Sequence, residues 1–411
     1  MKSLIISVLT LVFLCSFICD SQQSPIRVKV KNPNNFSLQD VFLEVSLNSV
    51  ENNFIFKDGN DLVPYQIEQN ELKGNKVGLV LSLQPNEEKV LSVVYGDGIK
   101  KPEFISRTYA ELSMKPGNVY YDGKFRGNTF VNVSKIKVPS IHTDHDALFK
   151  YEGPGWESEK VGYRFYLDWR NATDIFGKKK DQLVLANIGI HDTVAKDDSY
   201  HSMQDWGMDI FKVGNSLGIG SIGMWYDGKV NMVSKTDSIY CEIIENGPIK
   251  SEVKTNYFGW QVGENKYDIV SKLSITAGSR LTKSEIEISN NPQIVVTGIA
   301  KYQGTQFFKG NAPGEWTYIG LYGNQTLVSN NDKLGLAIFY QSKDLIELTE
   351  DNLSYIIKLK PSDGKTKYYF CAAWEQEENG INNLDQFKKY LNEIQLLLNN
   401  PLIVKIEHGG Q

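Results

Sequence analysis

Ile26-Arg27-Val28-Lys29-Val30-Lys31 runs directly into Asn32-Pro33-Asn34-Asn35. Apolar and basic residues alternate one by one, the period of a strand with one buried face. The Asn–Pro cluster then turns the chain. The same unit recurs outward from there. Runs at 41–47, 77–83 and 89–95 are bounded by Asn, Asp, Gly or Pro, and others follow at 229–233, 249–257, 267–275, 284–289, 334–340 and 355–359. This is the rhythm of an all-β sandwich, and 21 Tyr and 19 Phe suit broad sheet faces. The fold class predicted is mainly β, a large antiparallel β-sandwich. One segment departs from it. Leu384, Phe387, Tyr390, Leu391, Ile394, Leu397 and Leu398 recur at helical spacing, between Asn382 or Asn383 as cap and Asn399-Asn400-Pro401 as stop. That pattern predicts a single C-terminal amphipathic helix packed on a sheet.

At 411 residues the chain can bury a large core. Its net charge of −5 and lack of a long basic run argue against nucleic acid as a partner. Lys178-Lys179-Lys180 reads as a solvated loop. Lys2 precedes an apolar stretch from Leu4 to Ile18, and polar Asp20-Ser21-Gln22-Gln23 follows, the pattern of a signal peptide. The expectation is an exported, periplasmic protein with no transmembrane segment in the mature chain. Lipid anchoring through Cys19 is the open alternative, against which Ile18 stands as a poor fit to a small residue. Cys241 and Cys371 lie in apolar strand-like runs and read as buried free thiols. With a joint near Lys100 to Glu103, the chain divides into a signal peptide (1–22), an N-terminal β-sandwich region (23–103) and a central and C-terminal region carrying the site (104–411).

The site reading rests on two blocks. One is Tyr151-Glu152-Gly153-Pro154-Gly155-Trp156-Glu157-Ser158-Glu159, continuing through Tyr163-Arg164-Phe165-Tyr166-Leu167-Asp168-Trp169-Arg170. The other is Tyr200-His201, then Asp205-Trp206-Gly207-Met208-Asp209 and Lys212. Charges interleaved with aromatics are costly unless they face a cleft, and a cleft of this composition suits a sugar. His201 is the better candidate base, with carboxylates near to orient its imidazole, and His145 is the second. On an extended strand Arg164, Tyr166, Asp168 and Arg170 share one face, so the arginines can clamp a carboxylate. A structural ion-pair ladder through Asp168 and Glu157 is the competing reading. His142-Thr143-Asp144-His145-Asp146 resembles a metal set only weakly, so no cofactor is predicted, with a bound divalent cation left open. The glycines from Gly214 to Gly223 lack a phosphate-loop Lys-Ser/Thr and read as close backbone packing in a bend.

The segments 151–156, 163–177, 200–223 and 250–260 resemble the DUF4861 family of exported Bacteroidetes proteins. That resemblance implies a galactose-mutarotase-like supersandwich and a part in polysaccharide utilisation. It also implies an activity, because a member from an ulvan-degrading marine bacterium is an oligosaccharide dehydratase. Such an enzyme removes the C5 proton and 4-hydroxyl of a non-reducing-end uronic acid and leaves a 4,5-unsaturated sugar. The expected partners are therefore uronate-containing oligosaccharides, sulfated or not.

By chemistry, His201 or His145 serves as base. Arg164, Arg170 or Lys212 neutralises the carboxylate, and Tyr163, Tyr166 or Tyr257 protonates the leaving hydroxyl. Trp156 and Trp206 offer stacking faces, and Asp205 a hydroxyl contact. A polysaccharide lyase uses nearly the same parts. A glycoside hydrolase would draw two carboxylates from Glu152, Glu157, Asp205 and Asp209. An envelope carbohydrate-binding protein is the non-enzymatic alternative. On the dehydratase reading, His201→Ala and Arg164→Ala are each expected to abolish most turnover while leaving the fold intact.

Overall fold

The computed structural model describes residues 26–47, 53–68, 75–96, 98–117, 119–127, 129–189, 200–311, 313–378 and 380–408. The leader read at 1–22, with Cys15 and Cys19, and His191 lie outside the described residues. No helix among the described residues is long and apolar enough to cross a membrane.

The alternation at Ile26–Lys31 becomes a strand whose Val28 and Val30 are fully buried. It pairs antiparallel with Glu88–Tyr95 on one side and with Ile403–Glu407 on the other, so the last described strand returns to the first. Phe54–Asp58 and Asp61–Val63 complete this five-stranded sheet. It faces a three-stranded one made of Leu38–Leu47, Asn75–Leu83 and Tyr65–Ile67, across a core of its own that includes Val28, Phe54, Phe56, Leu79 and Leu91.

The larger part of the molecule is built on a nine-stranded antiparallel sheet. Its strand order is Lys135–Lys137, Ser238–Asn246, Lys250–Val262, Asn265–Thr276, Leu281–Ile288, Lys365–Trp374, Lys333–Gln341, Trp316–Asn324 and Thr305–Lys309. Two five-stranded sheets cover its inner face. Leu334, Leu336, Ile338 and Tyr340 point into that core, while Ala337 and Phe339 point the other way. Being covered on both sides, this strand is a nearly continuous apolar run instead of an alternating one.

The outer cover here is the helix Leu384–Asn399, which sets Phe387 and Leu391 against Tyr318, Tyr322 and Phe339. Asn383 caps it by accepting from the Gln386 amide at 2.9 Å. The fold is mainly β, as expected: stacked antiparallel sheets and one C-terminal helix among the described residues. Cys241 and Cys371 are free and fully buried, and burial pushes both thiols up to about 12.

The glycine-rich stretch is a packing device. Gly220 sits at φ +71°, and a Cβ there would come within 2.3 Å of the Phe370 ring.

Candidate functional site

The two blocks singled out in the sequence meet in one small sheet. Its order is Gly207–Asp209, Thr173–Lys178, Gly162–Phe165, Gly155–Ser158 and Thr108–Glu111. Cross-strand partners point to the same face, so register decides which residues converge. Arg164 lies opposite Asp174, and Phe176 lies opposite Asp209, which puts all four on one face. Trp156, Tyr163 and Ile175 are paired on the other, which packs into the main core.

On the first face Arg164 is a hub. It donates from Nε (3.1 Å) and Nη2 (2.7 Å) to Asp174 Oδ2, and from Nη2 to Asp209 Oδ2 (2.6 Å) and the Tyr166 hydroxyl (3.0 Å). Its Nη1 donates to the Tyr200 hydroxyl at 3.2 Å. Tyr166 donates to the same Asp174 oxygen. The strand ends at Phe165, so Tyr166 reaches the cluster from a loop and not by strand alternation. That loop is fitted tightly. A Cβ on Gly153 would lie 1.9 Å from the Phe165 carbonyl oxygen, so only glycine allows the approach.

The network continues outward at both ends. Asp209 Oδ2 lies 3.3 Å from Nδ1 of His201, whose side chain is 51% exposed. The His201 ring sits 4.3 Å from that of Tyr200. At the opposite end Arg170 pairs with Asp168 and, at 3.0 Å, with Glu152, its guanidinium 3.7 Å over the Tyr166 ring. Glu152 also accepts from the His145 amide at 2.7 Å, and the exposed His145 imidazole lies 3.6 Å from it. Two accessible imidazoles thus flank one buried cluster, each beside a carboxylate that faces an arginine.

Burial governs the electrostatics. Asp174 is pushed up to about 7 by desolvation and by Asp209, against the pull of Arg164 and Tyr166. Tyr200 is pushed up to about 12, chiefly by burial, and stays protonated. Burial alone would raise Glu152, but Arg164, Arg170 and the His145 amide hold it below the usual carboxylate range.

The Asp174 shift predicts a pH effect. With its pKa raised from 3.8 in the unfolded chain to about 7, the folded state binds more protons between those values. Stability therefore falls as pH rises through that window. Asp174→Asn should flatten the fall. Thermal unfolding at pH 5 and pH 8 measures it, and equal slopes for both proteins would refute the assignment.

Several residues expected at the site lie elsewhere. Trp156 is fully buried and donates to Thr282 Oγ1 at 2.9 Å. Tyr163, also fully buried, donates to the Arg280 carbonyl and accepts from the Ala372 amide. Tyr257 is 1% exposed and donates to Asn171 Oδ1. All three belong to the main core, with their polar atoms bonded to groups outside the Arg164 cluster.

Glu157 and Lys178 form a fully buried ion pair, so Lys178 is not part of a solvated loop and Glu157 is not part of an arginine ladder. Asp168 does pair with Arg170 as the ladder reading had it. Trp206 and Tyr200 line a hollow of about 360 Å³ with Gln204, while Asp205 is exposed beside it. Lys212 lines a separate hollow of about 690 Å³ with Tyr302. His142 is buried against Asp146 at 2.8 Å, and among the described residues no three His, Cys, Asp or Glu side chains converge as metal ligands would.

Asp174 was missed in the sequence, and Tyr200 was quoted there without a role. Only the strand register brings them to Arg164.

The chain has similar proteins both among curated sequences and among solved structures. It is 24% identical over 276 residues to uncharacterized protein P7 of Formosa agariphila, a match covering 61% of this chain and 66% of that one. Among solved structures it resembles a glycosyl hydrolase family 38 protein of Enterococcus faecalis, with TM-score 0.44, 9% identity and coverage of 93% of this chain and 47% of the other. An α-mannosidase of the same organism gives TM-score 0.45, 9% identity, and coverage of 94% and 46%. The chain thus spans about half the length of these two structures and just under two thirds of the curated relative. The family profile described as a domain of unknown function, DUF4861, matches residues 30–404, which includes every strand of the site, and the chain belongs to that family.

Proposed function

We propose that the protein is an exported oligosaccharide dehydratase, acting on a uronic acid at the non-reducing end of an ulvan-type chain. The observation that carries this reading is the contact between His201 and Tyr200, backed by Asp209 and Arg164. Water is lost from two adjacent carbons, so base and acid must sit side by side. His201, with Nδ1 turned to Asp209, is assigned as the base that takes the C5 proton. The Tyr200 hydroxyl accepts from Arg164 and so keeps its own proton for the departing 4-hydroxyl. The C5–H and C4–O bonds break, a C4–C5 double bond forms, and water leaves. The proton on His201 then returns to Tyr200.

Charge builds on the carboxylate beside C5 as its proton leaves. Arg164, bonded to Asp209 beside His201 and to the Tyr200 hydroxyl, is the guanidinium at that end of the network and is assigned to offset it, while Arg170 borders an open cleft at the other end. Arg164 does so from inside the protein, through those contacts, as a positioning residue. Tyr166 shares Arg164 and Asp174 and supports Arg170 from below.

Mass spectrometry of a saturated ulvan oligosaccharide ending in glucuronate, before and after incubation, tests the reading. The expected result is loss of one water at constant chain length. Shorter fragments with an unsaturated end would mean a lyase, and saturated fragments a hydrolase. Binding without any mass change would point to a carbohydrate-binding protein.

A further inference from the structure

Arg170 and Trp169 form one wall of a cleft of about 570 Å³ that continues past the cluster. Its opposite side comes from the hairpin of Gly223–Tyr226 and Lys229–Met232 and from the loop that follows it. Trp169 and Tyr226 are large aromatics left 45% and 44% exposed, and both line this cleft. Neither is loose. Trp169 donates through Nε1 to Asp144 Oδ1 at 3.2 Å, and Tyr226 packs so closely on Gly263 that a Cβ there would come within 2.4 Å of its ring. Exposed, fixed aromatic faces at a cleft are the usual platform for the C–H surface of a sugar ring.

The charges around the cleft are uneven. Inside the cluster, Arg164 and Arg170 are answered by Glu152, Asp168, Asp174 and Asp209, so it exerts little long-range pull on an anion. The cleft wall adds Lys229 and Lys235, both exposed and neither held in an ion pair by a described residue, against one carboxylate, Asp227. An acidic chain reaching the reacting end would therefore find its attraction here.

We propose that this cleft binds the sugars following the reacting residue, with Trp169 and Tyr226 as stacking faces and Lys229 and Lys235 as partners for their sulfate or carboxylate groups. The proposal rests on the dehydratase reading for its orientation, with the reacting end at His201 and the rest of the chain running past Arg170.

The test is the double variant Lys229→Gln/Lys235→Gln beside Trp169→Ala, assayed on size-fractionated ulvan oligosaccharides, intact and chemically desulfated. For long, sulfated substrates the double variant should raise KM by about ten-fold with kcat within two-fold, and high salt should shrink the difference. Disaccharides should be unaffected by it. Persistence of the effect after desulfation assigns the lysines to carboxylate, and its disappearance assigns them to sulfate.

An equal KM rise for long and short substrates, or none, would overturn the proposal while leaving the dehydratase intact. Titration calorimetry separates the two failures. Lysine-dependent binding of long oligosaccharides without water loss in the wild type would sustain the cleft and sink the dehydratase. Absence of any oligosaccharide binding would sink both.

Discussion

Arg164→Ala should destabilise the protein by about 3–5 kcal/mol, the range for removing one partner of a buried ion pair. This reverses the expectation formed from sequence, in which the substitution left the fold intact. The side chain is 4% exposed and holds Asp174, Asp209, Tyr166 and Tyr200 together. Its loss leaves two carboxylates buried on one sheet face with no guanidinium between them. Adding Asp174→Asn to Arg164→Ala removes one stranded carboxylate and should recover part of the loss. Denaturant unfolding measures both. An Arg164→Ala protein with a wild-type midpoint would show that the hub carries no structural weight, and the corrected role would have to be withdrawn. Arg164→Lys should recover little, because one ammonium cannot span two aspartates and two hydroxyls as the planar fork does.

The difference between the two expectations shows what local pattern can reveal. Alternation at residues 26–31, the near-continuous run at 334–340 and the helical spacing from Leu384 to Leu398 are properties of one segment. They are set by whether one or both faces meet a core, and they were legible. Convergence of Arg164 with Asp174 and Asp209 depends on the pairing of three strands, and a one-residue slip would separate them.

Composition alone also misled. In the sequence Trp156 looks like a stacking face and Tyr163 and Tyr257 like acids for the leaving hydroxyl, but strand parity turns the first two into the core and burial removes the third. Lys178 opens a basic triplet, yet its position in Thr173–Lys178 points it inward to Glu157. The aromatic that does reach the open cleft, Trp169, follows the end of the strand, where parity no longer applies.

His201→Ala should lower kcat by about 10²–10⁴-fold, the contribution of a positioned general base, with no shift in the unfolding midpoint. The two halves of that prediction have separate grounds. The imidazole is 51% exposed and packs on Tyr200 at the surface, so its removal opens no cavity. Chemically, it is the accessible imidazole whose Nδ1 faces a buried carboxylate tied to Arg164, and its ring lies against that of Tyr200, the residue assigned as acid. His145 provides the control. It stands at the other end of the network, 74% exposed and 3.6 Å from Glu152, and no ring contact with a tyrosine is made by it among the described residues. His145→Ala should cost less than ten-fold.

The growth of ultraviolet absorbance from the new double bond follows the rate directly. Added imidazole should restore part of the His201→Ala activity, because a small base can reach the exposed position beside Tyr200 from solvent and take the C5 proton. A purely structural histidine would gain nothing from it. If His145→Ala proves inactive while His201→Ala turns over normally, the base lies at the Glu152 end. The acid would then be Tyr166, stacked beneath Arg170, and the substrate would cross the cluster in the opposite direction.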